Sequence, residues 1–518
     1  MLKRWLVTTV AMGGTLAFIG TACGGDDSQG NTGGTGTGTG TGTGVGAAGG
    51  SGGTGGATGG GGQGPVCGDA QCTGDETCST CAEDCGACCG DGVCDPTELC
   101  GTCADDCGAC TGEPIDVVRG PYLQQGTESS VVVRWRTATA RDAVVAYGPA
   151  PDQLAFVAAS SDNGTEHAVT VEGLAADAKY FYAFGDPASD LVGADADHFV
   201  VTHPPIGTNK PTRIWIIGDS GTANSNAENV RDAYLAHTGT QATDLWLMLG
   251  DNAYNDGTDA EYQDAVFDMY PTILRNSVVW PTLGNHDGHT ASSADESGPY
   301  YDIFTLPRQG ESGGVASGTE AYYSFDYGTI HFVCLDSYDS DNDPGSPMLT
   351  WLENDLSATT QPWLIAFWHH PPYTKGSHDS DGEGRLIDMR ENVLPILEAH
   401  GVDLVLGGHS HSYERSFYLN GHYDDSDTLV ASMLVDGGDG REDGDGPYTR
   451  DGGSTYGAVY IVAGSSGKVS SAPLDHPAMF ANFEELGSLV VDIDGTTLKA
   501  DFIDDQGTVL DWFTIQKP

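Results

Sequence analysis

The chain has 518 residues and a formal net charge of −53, because 74 Asp and Glu side chains outnumber 21 Lys and Arg side chains. This length excludes a single small domain, and this charge would repel nucleic acid phosphates and anionic lipid headgroups over most of the surface. Nucleic-acid binding is therefore not expected. Any phosphate chemistry would need local positive charge, most simply from bound metal ions.

The first 23 residues are typical of a secretory signal. Lys3 and Arg4 precede an uncharged apolar stretch, which ends in small residues and Cys23. Residues 20–23 resemble a bacterial lipoprotein cleavage box, with Gly20 where that box usually has leucine. We predict an exported protein, placed on the outer cell surface, in the periplasm or outside the cell, with membrane attachment through a lipid on Cys23. Plain signal cleavage is the alternative.

A glycine-rich segment follows the predicted signal. Between residues 24 and 64 lie 22 of the 75 glycines, and Gly alternates with Thr around residues 34–44. A segment of this composition has too little apolar surface to build a core. We predict a disordered, flexible linker over residues 24–65.

Residues 66–111 contain two copies of a 22-residue cysteine-rich repeat. Twelve of the 14 cysteines lie there. The six cysteines of the first copy recur 22 residues later as Cys89, Cys94, Cys100, Cys103, Cys107 and Cys110. In an exported chain this pattern predicts three disulfides per repeat, with 15 pairings open in each. Zinc binding by the CxxC pairs is the alternative.

Residues 114–205 show the pattern of an all-β domain. Short apolar runs, such as residues 131–135 and 180–182, are separated by Gly, Asp and Asn at regular intervals. This pattern predicts a β-sandwich of about 90 residues. Aromatic residues in such strands usually pack in the core, so we assign this domain no chemistry.

From residue 206 onward, five apolar runs each end in a block that contains coordinating side chains. Runs of four to six apolar residues fit buried strands joined by helical crossovers, which we predict at residues 227–237 and 384–400. Ligands gather beyond the carboxyl ends of the strands in such sheets. All five blocks are therefore expected at one sheet edge. They are Gly218–Gly221, Gly250–Tyr254, Gly284–Asp287, His369–Pro371 and Gly407–His411.

The coordinating side chains of these blocks are numerous enough for two metal ions. Imidazole suits zinc and iron, carboxylate and amide oxygens suit harder ions such as manganese, and a Tyr phenolate favours ferric iron. A bridging aspartate would hold two cations ~3.5–4 Å apart. Of the adjacent His369 and His370, only one is expected to face the site. The candidate ligands are Asp219, Asp251, Tyr254, Asn285, His369, His409 and His411.

These blocks resemble those of the purple acid phosphatases within the metallophosphoesterase, or calcineurin-like phosphoesterase, superfamily. The family pattern reads GDxG, GDxxY, GNH[DE], VxxH and GHxH, and the chain departs from it at Ala366, where valine is usual. Residues 120–124 with Trp135 are similar to the family's N-terminal domain. The resemblance spans roughly residues 116–518. It implies a fibronectin type III-like β-sandwich at 114–205, followed by a four-layer αββα metallophosphoesterase domain at 206–518.

The resemblance also implies a role for each residue of a binuclear centre. His286 would lie beside the phosphate as its electrostatic partner or as proton donor to the leaving alkoxide. His378 follows His369 by nine residues, as does a substrate-contacting histidine in plant members. The ferric ion would be held by Asp219, Tyr254 and His411, the bridge would be Asp251, and the divalent iron, zinc or manganese would be held by Asn285, His369 and His409.

Together, the motifs and the family resemblance predict an exported metallophosphatase that hydrolyses phosphate monoesters and scavenges phosphate. Two cations would neutralise the phosphate oxygens, and a metal-bound hydroxide would attack phosphorus in line. A phosphodiesterase or nucleotide hydrolase that uses the same site is the second hypothesis, and an inactive surface adhesion protein is the third. Outside the five blocks, we expect His331 to be a packed or surface residue, Cys334 to be buried, and Glu414 to pair with Arg415.

Overall fold

A computed structural model gives the fold of the chain. It describes residues 89–90, 92–94, 98–450 and 456–518. The predicted signal with Cys23, the Gly/Thr-rich linker and the first cysteine repeat lie outside these described residues. Within them, no helix is both long enough and apolar enough to span a bilayer.

The second cysteine repeat is held by three disulfides. Cys89 pairs with Cys103, Cys94 with Cys107, and Cys100 with Cys110. The first cysteine thus pairs with the fourth, the second with the fifth and the third with the sixth. This pairing confirms the disulfide interpretation for this repeat, because a sulfur in a disulfide is not a thiolate that can ligate zinc. Leu99 of the repeat packs with Val144 and Ala183 of the following domain.

The N-terminal domain is entirely β-structured. Its longest strand is 19 residues and pairs antiparallel with three others. The apolar runs 131–135 and 180–182 both lie in strands, as predicted, and Trp135 and Tyr182 are buried core residues. The strands are β1 (Val117–Gln124), β2 (Ser130–Gly148), β3 (Phe156–Glu172), β4 (Lys179–Gly185), β5 (Val192–Gly193) and β6 (Phe199–Val201).

The remainder of the described chain alternates strands and helices. Its strands are β7 (Thr212–Ile217), β8 (Leu245–Met248), β9 (Val278–Pro281), β10 (Tyr323–Tyr327), β11 (Ile330–Cys334), β12 (Trp363–Phe367), β13 (Leu404–Gly407), β14 (Tyr413–Ser416), β15 (Tyr418–Leu419), β16 (Leu434–Asp436), β17 (Tyr448–Thr449), β18 (Val459–Ala463), β19 (Met479–Phe483), β20 (Gly487–Asp494), β21 (Thr497–Asp504) and β22 (Val509–Gln516).

The helices are mostly short. π-Helical turns at Gln263–Phe267 and Met389–Val393 continue two of them. Both predicted crossovers, 227–237 and 384–400, are helical. The α-helices are α1 (Ala104–Cys107), α2 (Ser225–Thr238), α3 (Asp259–Tyr262), α4 (Pro271–Leu274), α5 (Pro299–Ile303), α6 (Pro347–Ala358), α7 (Gly384–Asp388) and α8 (Leu394–His400).

Two large sheets form the catalytic region. The first has the order β17-β22-β21-β20-β7-β8-β9, and the second has the order β10-β11-β12-β13-β18-β14-β19. Strands β7, β8 and β9 are parallel to one another, as are β11, β12, β13 and β18. The five predicted apolar runs are β7, β8, β9, β12 and β13. They divide between the two sheets, so the metal-ligand blocks lie at two adjoining sheet edges rather than at one.

The core lies between the two sheets, and helices cover their outer faces. Trp280 of β9 stacks on Phe325 of β10 at 3.8 Å, and Tyr413 of β14 stacks on Phe502 of β21 at 4.0 Å. On the outer face of the first sheet, Trp215 of β7 stacks on Tyr234 of α2. Helices α6 and α8 bury their apolar side chains on the second sheet. The result is a four-layer α/β/β/α arrangement, consistent with the expected metallophosphoesterase-type fold.

The N-terminal domain and the catalytic region share one continuous sheet. Strand β1 pairs parallel with β9, with Leu123 opposite Val278. Gln124 donates a hydrogen bond to the Val279 carbonyl at 3.0 Å, and the Tyr122 hydroxyl donates to the Ile303 carbonyl at 2.8 Å. Apolar patterning within each strand does not specify this long-range pairing, because the same patterning suits a free-standing sandwich.

The expected pairing of Glu414 with Arg415 is wrong. Both residues lie in β14, where successive side chains point to opposite faces. Glu414 accepts hydrogen bonds from the Thr374 and Ser412 hydroxyls, whereas Arg415 binds Asp511 through Nε and Nη2. Cys334 is buried, as predicted.

His331 in β11 is a buried cation that links the second sheet to α6. Its Nδ1 and Nε2 atoms each lie 2.8 Å from a carboxylate oxygen, of Asp326 and Asp355 respectively. Burial opposes a charged imidazole. The hydrogen bonds to the two carboxylates outweigh that burial and raise the pKa of His331 to about 9.

We predict that His331 makes the stability of the protein depend on pH. Its folded pKa lies above the unfolded value of about 6.5, so its contribution is complete below about pH 6.5 and is lost as the pH rises through about 9. The free energy of unfolding should fall by about 3 kcal/mol across that window. Unfolding curves at several pH values should show this fall, and His331→Gln should flatten it. The exposed-residue control His237→Gln should keep it; equal pH dependence in the wild type and His331→Gln would contradict the prediction.

Candidate metal centre and substrate site

Three predicted ligands stand on strained backbone at strand ends. Asp219, Asp251 and His409 have φ values of 54°, 51° and 66°, in the left-handed region that side-chain-bearing residues rarely adopt. Such strain concentrates at functional sites. The neighbouring glycines allow the close approach: a Cβ atom at Gly284 would lie 2.0 Å from the Asp251 nitrogen, and one at Gly408 would lie 2.6 Å from Asp219 Oδ2.

One group of ligand atoms surrounds the phenol of Tyr254. The Tyr254 hydroxyl lies 3.0 Å from Asp219 Oδ1, 2.9 Å from Asp251 Oδ2 and 3.3 Å from His411 Nε2. His411 Nε2 also lies 3.6 Å from Asp219 Oδ1. The other His411 nitrogen, Nδ1, lies 3.1 Å from the Ser470 hydroxyl. These are the four residues predicted for the ferric ion and its bridge.

A second group surrounds the amide of Asn285. Its Oδ1 lies 3.0 Å from His369 Nε2 and 2.9 Å from His409 Nδ1. His369 Nε2 also lies 3.3 Å from Asp251 Oδ1, so Asp251 contacts both groups, one through each oxygen. The structure therefore brings together all seven residues predicted as ligands, with Asp251 between the two groups.

Acceptor atoms face one another in the second group. His369 Nδ1 lies 2.8 Å from the Leu249 carbonyl, which can only accept, so Nδ1 carries the hydrogen and Nε2 presents a lone pair. His409 Nε2 faces Glu383 at 3.4 Å, which leaves its Nδ1 lone pair toward Asn285. The lone pairs of His369 Nε2 and His409 Nδ1 and the oxygens of Asn285 and Asp251 therefore point toward one another. None of these four atoms carries a hydrogen that another of them could accept. Such an arrangement is repulsive unless a cation lies among the atoms.

Burial acts on both Asp219 and Asp251, but the pKa values of the two carboxyl groups shift in opposite directions. Burial and the charge of Asp251 raise the pKa of Asp219 well above its usual range. Burial also acts on Asp251, but the nearby His369 and His286 imidazoles and the His286 N–H lower its pKa. Neither aspartate has a Lys or Arg ion pair among the described residues. Bound cations would allow both carboxylates to ionise.

The three histidines of the groups are held neutral. Burial lowers the pKa of His369, and it lowers the pKa of His409 to about 4. Burial, together with the charge of Lys468, lowers the pKa of His411 to about 3. Neutral imidazole is the form that binds metal. At neutral pH these shifts favour the neutral imidazole that a metal ion would require.

His286 and His378 flank the two groups from different sides. His286 Nδ1 donates to the Asn255 carbonyl at 2.5 Å, which leaves Nε2 3.9 Å from Asp251 Oδ2. The His378 ring stacks on His409 with centroids 3.7 Å apart, and its Nδ1 lies 2.8 Å from Glu383 Oε1. Each imidazole therefore has one nitrogen anchored and one available to a substrate.

Several supporting residues were missed by sequence reasoning. Glu383 contacts both His378 and His409, yet it lies in a loop with no motif. Asp287 is fully buried and accepts hydrogen bonds from the Tyr262 hydroxyl, the Gly284 N–H and the Asn252 amide. The position of Asp287 in the third ligand block was the only sequence feature that could have indicated this supporting role. His370 Nδ1 lies 2.9 Å from the Ser337 hydroxyl, and its ring lies 4.4 Å from the ring of His409, measured between centroids.

Comparison with known proteins assigns the class. Residues 212–413, which include all seven candidate ligands, match the calcineurin-like phosphoesterase family. Residues 120–201 match the purple acid phosphatase N-terminal domain. The chain therefore contains a calcineurin-like phosphoesterase domain, preceded by a purple acid phosphatase N-terminal domain.

Over about half of its length, the chain is also similar in sequence to plant purple acid phosphatases. It is 28% identical over 302 residues to purple acid phosphatase 15 of Arabidopsis thaliana. The aligned region covers 53% of this chain and 54% of that protein. It is 30% identical over 264 residues to purple acid phosphatase 22 of the same plant, covering 49% and 54%. The chain thus spans about half the length of these two relatives.

Two solved structures share the fold. Purple acid phosphatase PPD1 from yellow lupin seeds superposes with a TM-score of 0.58 at 18% identity, covering 77% of this chain and 75% of that chain. The structure of PhoD superposes with a TM-score of 0.52 at 16% identity, covering 79% and 92%. Each of these structural matches covers more of the chain than the 212–413 segment alone.

Proposed function

We propose that this protein is a binuclear metal-dependent phosphatase that hydrolyses phosphate monoesters. The observation that carries the proposal is the convergence of unprotonated acceptors around Asn285, next to the cluster around Tyr254. The purple acid phosphatase relatives support the same reaction class.

The donor set suits two different cations. Two carboxylates, a phenol and an imidazole, from Asp219, Asp251, Tyr254 and His411, would hold ferric iron. Asn285, His369, His409 and the second oxygen of Asp251 would hold divalent iron, zinc or manganese. When bound, such cations supply Lewis-acid charge that neutralises phosphate oxygens and acidifies a water molecule. This local charge explains how a protein of net charge −53 could bind an anion.

The surrounding residues would handle substrate and protons. His286 Nε2 is the nitrogen available beside Asp251, and we assign it the proton that the leaving alkoxide accepts. His378 would contact the substrate through Nε2, since Glu383 anchors its Nδ1. Glu383 also holds the His409 ring in place through Nε2, as carboxylates commonly do for metal-bound imidazoles.

The test is turnover by protein reconstituted with iron plus zinc or manganese. We expect phosphate release from 4-nitrophenyl phosphate to exceed hydrolysis of bis(4-nitrophenyl) phosphate, and chelation to abolish it. Faster turnover of the diester would overturn the monoesterase proposal in favour of the phosphodiesterase hypothesis. No turnover of either ester with both metals bound would favour the adhesion hypothesis.

Tyr254→Phe tests the assignment of the ferric site. A ferric phenolate absorbs visible light, so iron-loaded wild-type protein should be coloured and the variant colourless. The measurement is the visible spectrum at matched iron content. Tyr322→Phe, which alters a tyrosine packed on Trp351, should keep the colour. An unchanged spectrum in Tyr254→Phe would rule out the phenolate ligand.

We further propose that the enzyme is exported and releases phosphate for uptake. The three disulfides of the second repeat support an oxidising compartment. Attachment through a lipid on Cys23 rests on the sequence pattern of the signal, and mass spectrometry of the mature N-terminus would test it. An intact, unmodified Met1–Cys23 segment on the mature protein would contradict both parts of this proposal.

A further inference from the structure

A cavity of about 430 Å³ opens beside the divalent-metal side of the candidate centre. Two of its lining residues, Asn285 and His409, are candidate metal ligands. Tyr338 and Arg385 line the same cavity. A group bound to the phosphate at the metal centre therefore has room to extend toward Arg385. The volume suffices for an aromatic ring, since a cavity of roughly 150 Å³ holds benzene.

Arg385 is an unusual cation in this protein. Most Lys and Arg side chains among the described residues form an ion pair with a carboxylate, but Arg385 forms none there. Its Nε donates to the Tyr338 carbonyl at 3.1 Å, and no described residue binds its terminal nitrogens. Exposed cations on so acidic a surface readily find acidic partners. An unpaired guanidinium at the wall of this cavity therefore indicates an anion that arrives from solution.

Tyr338 holds the guanidinium in place. Arg385 Cζ lies 4.5 Å from the centroid of the Tyr338 ring, within cation–π range. Gly288 also lies against that ring, since an added Cβ atom there would lie 2.1 Å from Tyr338 Cε1. Gly288 follows the third ligand block directly, so the block that supplies Asn285 also fixes the position of Tyr338. The geometry of the wall is thus coupled to that of the metal centre.

We propose that Arg385 and Tyr338 form a leaving-group subsite for phosphate esters whose alcohol carries a second anionic group, a carboxylate or another phosphate. This proposal rests on the proposed phosphatase function. The planar guanidinium can donate two parallel hydrogen bonds to either anion, and its stacking on Tyr338 reduces the conformational entropy lost on binding. The enzyme would therefore prefer esters with a charged leaving group over neutral ones of the same shape.

The test compares esters that differ only in the second anion. Phenyl phosphate is the neutral reference, 4-carboxyphenyl phosphate carries a carboxylate, and benzene-1,4-diyl bisphosphate carries a second phosphate. We expect Arg385→Gln to lower the ratio of kcat/KM for charged over neutral ester by about tenfold, as for loss of one charge-assisted hydrogen bond. The two charged esters distinguish a carboxylate subsite from a phosphate subsite.

Arg308→Gln is the matched control, since Arg308 is an exposed arginine outside this cavity that pairs with Glu296. It should leave the ratio at its wild-type value. A ratio unchanged by Arg385→Gln, at an unchanged unfolding midpoint, would overturn the subsite.

A binding measurement separates failure of the subsite from failure of the proposed reaction. The non-hydrolysable 4-carboxyphenylphosphonate should bind the metal-loaded protein more tightly than phenylphosphonate, and Arg385→Gln should remove most of that difference in Kd. If no ester is turned over but this difference is present, the phosphatase proposal fails and the subsite stands. Equal Kd values for the two phosphonates in the wild type would overturn the subsite whatever the turnover.

Discussion

Asp251→Asn is expected to lower phosphate release on the order of 10³-fold or more and to reduce the bound metal content. The two carboxylate oxygens of Asp251 face different groups: Oδ2 lies 2.9 Å from the Tyr254 hydroxyl, and Oδ1 lies 3.3 Å from His369 Nε2. Asparagine keeps the shape and one carbonyl oxygen but removes the negative charge. The second oxygen becomes an NH₂ group, which cannot ligate a cation.

Turnover of 4-nitrophenyl phosphate and metal content, measured on the same preparation, would check this prediction. Asp232→Asn is the matched control, because Asp232 is an exposed aspartate on α2 whose visible partner is its neighbour Arg231. It should leave both measurements at the wild-type level. Retention of wild-type turnover in Asp251→Asn would remove the central support for a bridged binuclear centre.

Asp511→Asn is expected to lower the free energy of unfolding by about 3–5 kcal/mol. Asp511 and Arg415 are both fully buried, and the carboxylate binds Arg415 through both its oxygens. It also accepts from the Tyr413 hydroxyl at 3.0 Å and from Arg441 at 2.9 Å. The substitution would leave a buried guanidinium without a counter-charge, which is the most destabilising way to break such a pair.

The matched control for this prediction is Asp492→Asn. Asp492 forms a similar two-oxygen pair with Arg213, but 36% of its side chain is exposed. Exposed pairs contribute about 0–1 kcal/mol, because solvent screens the charges. Denaturant unfolding of the three proteins should show a large shift for Asp511→Asn only. Similar shifts for both variants would show that burial does not set the energy of these pairs.

Local features of the fold were predictable from the sequence. The apolar runs at residues 214–217, 245–249 and 402–406 correspond to β7, β8 and β13, because buried parallel strands need unbroken apolar residues. The helices at 225–238 and 384–400 follow in the same way. The arrangement of these strands into two sheets could not be predicted from the apolar pattern. Packing between distant segments decides which strands pair, and the apolar period of a single strand does not.

For the cysteine repeat, too, the sequence predicted one feature and the tertiary structure decided another. Its spacing predicted disulfides, but 15 pairings remained open because spacing does not encode which sulfurs meet. The folded repeat brings Cys89 to Cys103, Cys94 to Cys107 and Cys100 to Cys110. Likewise, Glu414 and Arg415 are neighbours in sequence, yet the pleat of β14 separates their side chains.

For the candidate site, the sequence by itself determined the seven candidate ligands, because ligand types repeat at strand ends in blocks that resemble a known family. Tertiary structure alone decided which atoms face one another. It placed both oxygens of Asp251 between the two groups, and it turned the unprotonated nitrogens of His369 and His409 toward Asn285. It also brought Glu383, Tyr338 and Arg385 to the site from loops and from one short helix without motifs. The physical reason is that ligand identity is a local property of each block, whereas hydrogen direction, burial and the shape of a cavity arise only where distant segments pack together.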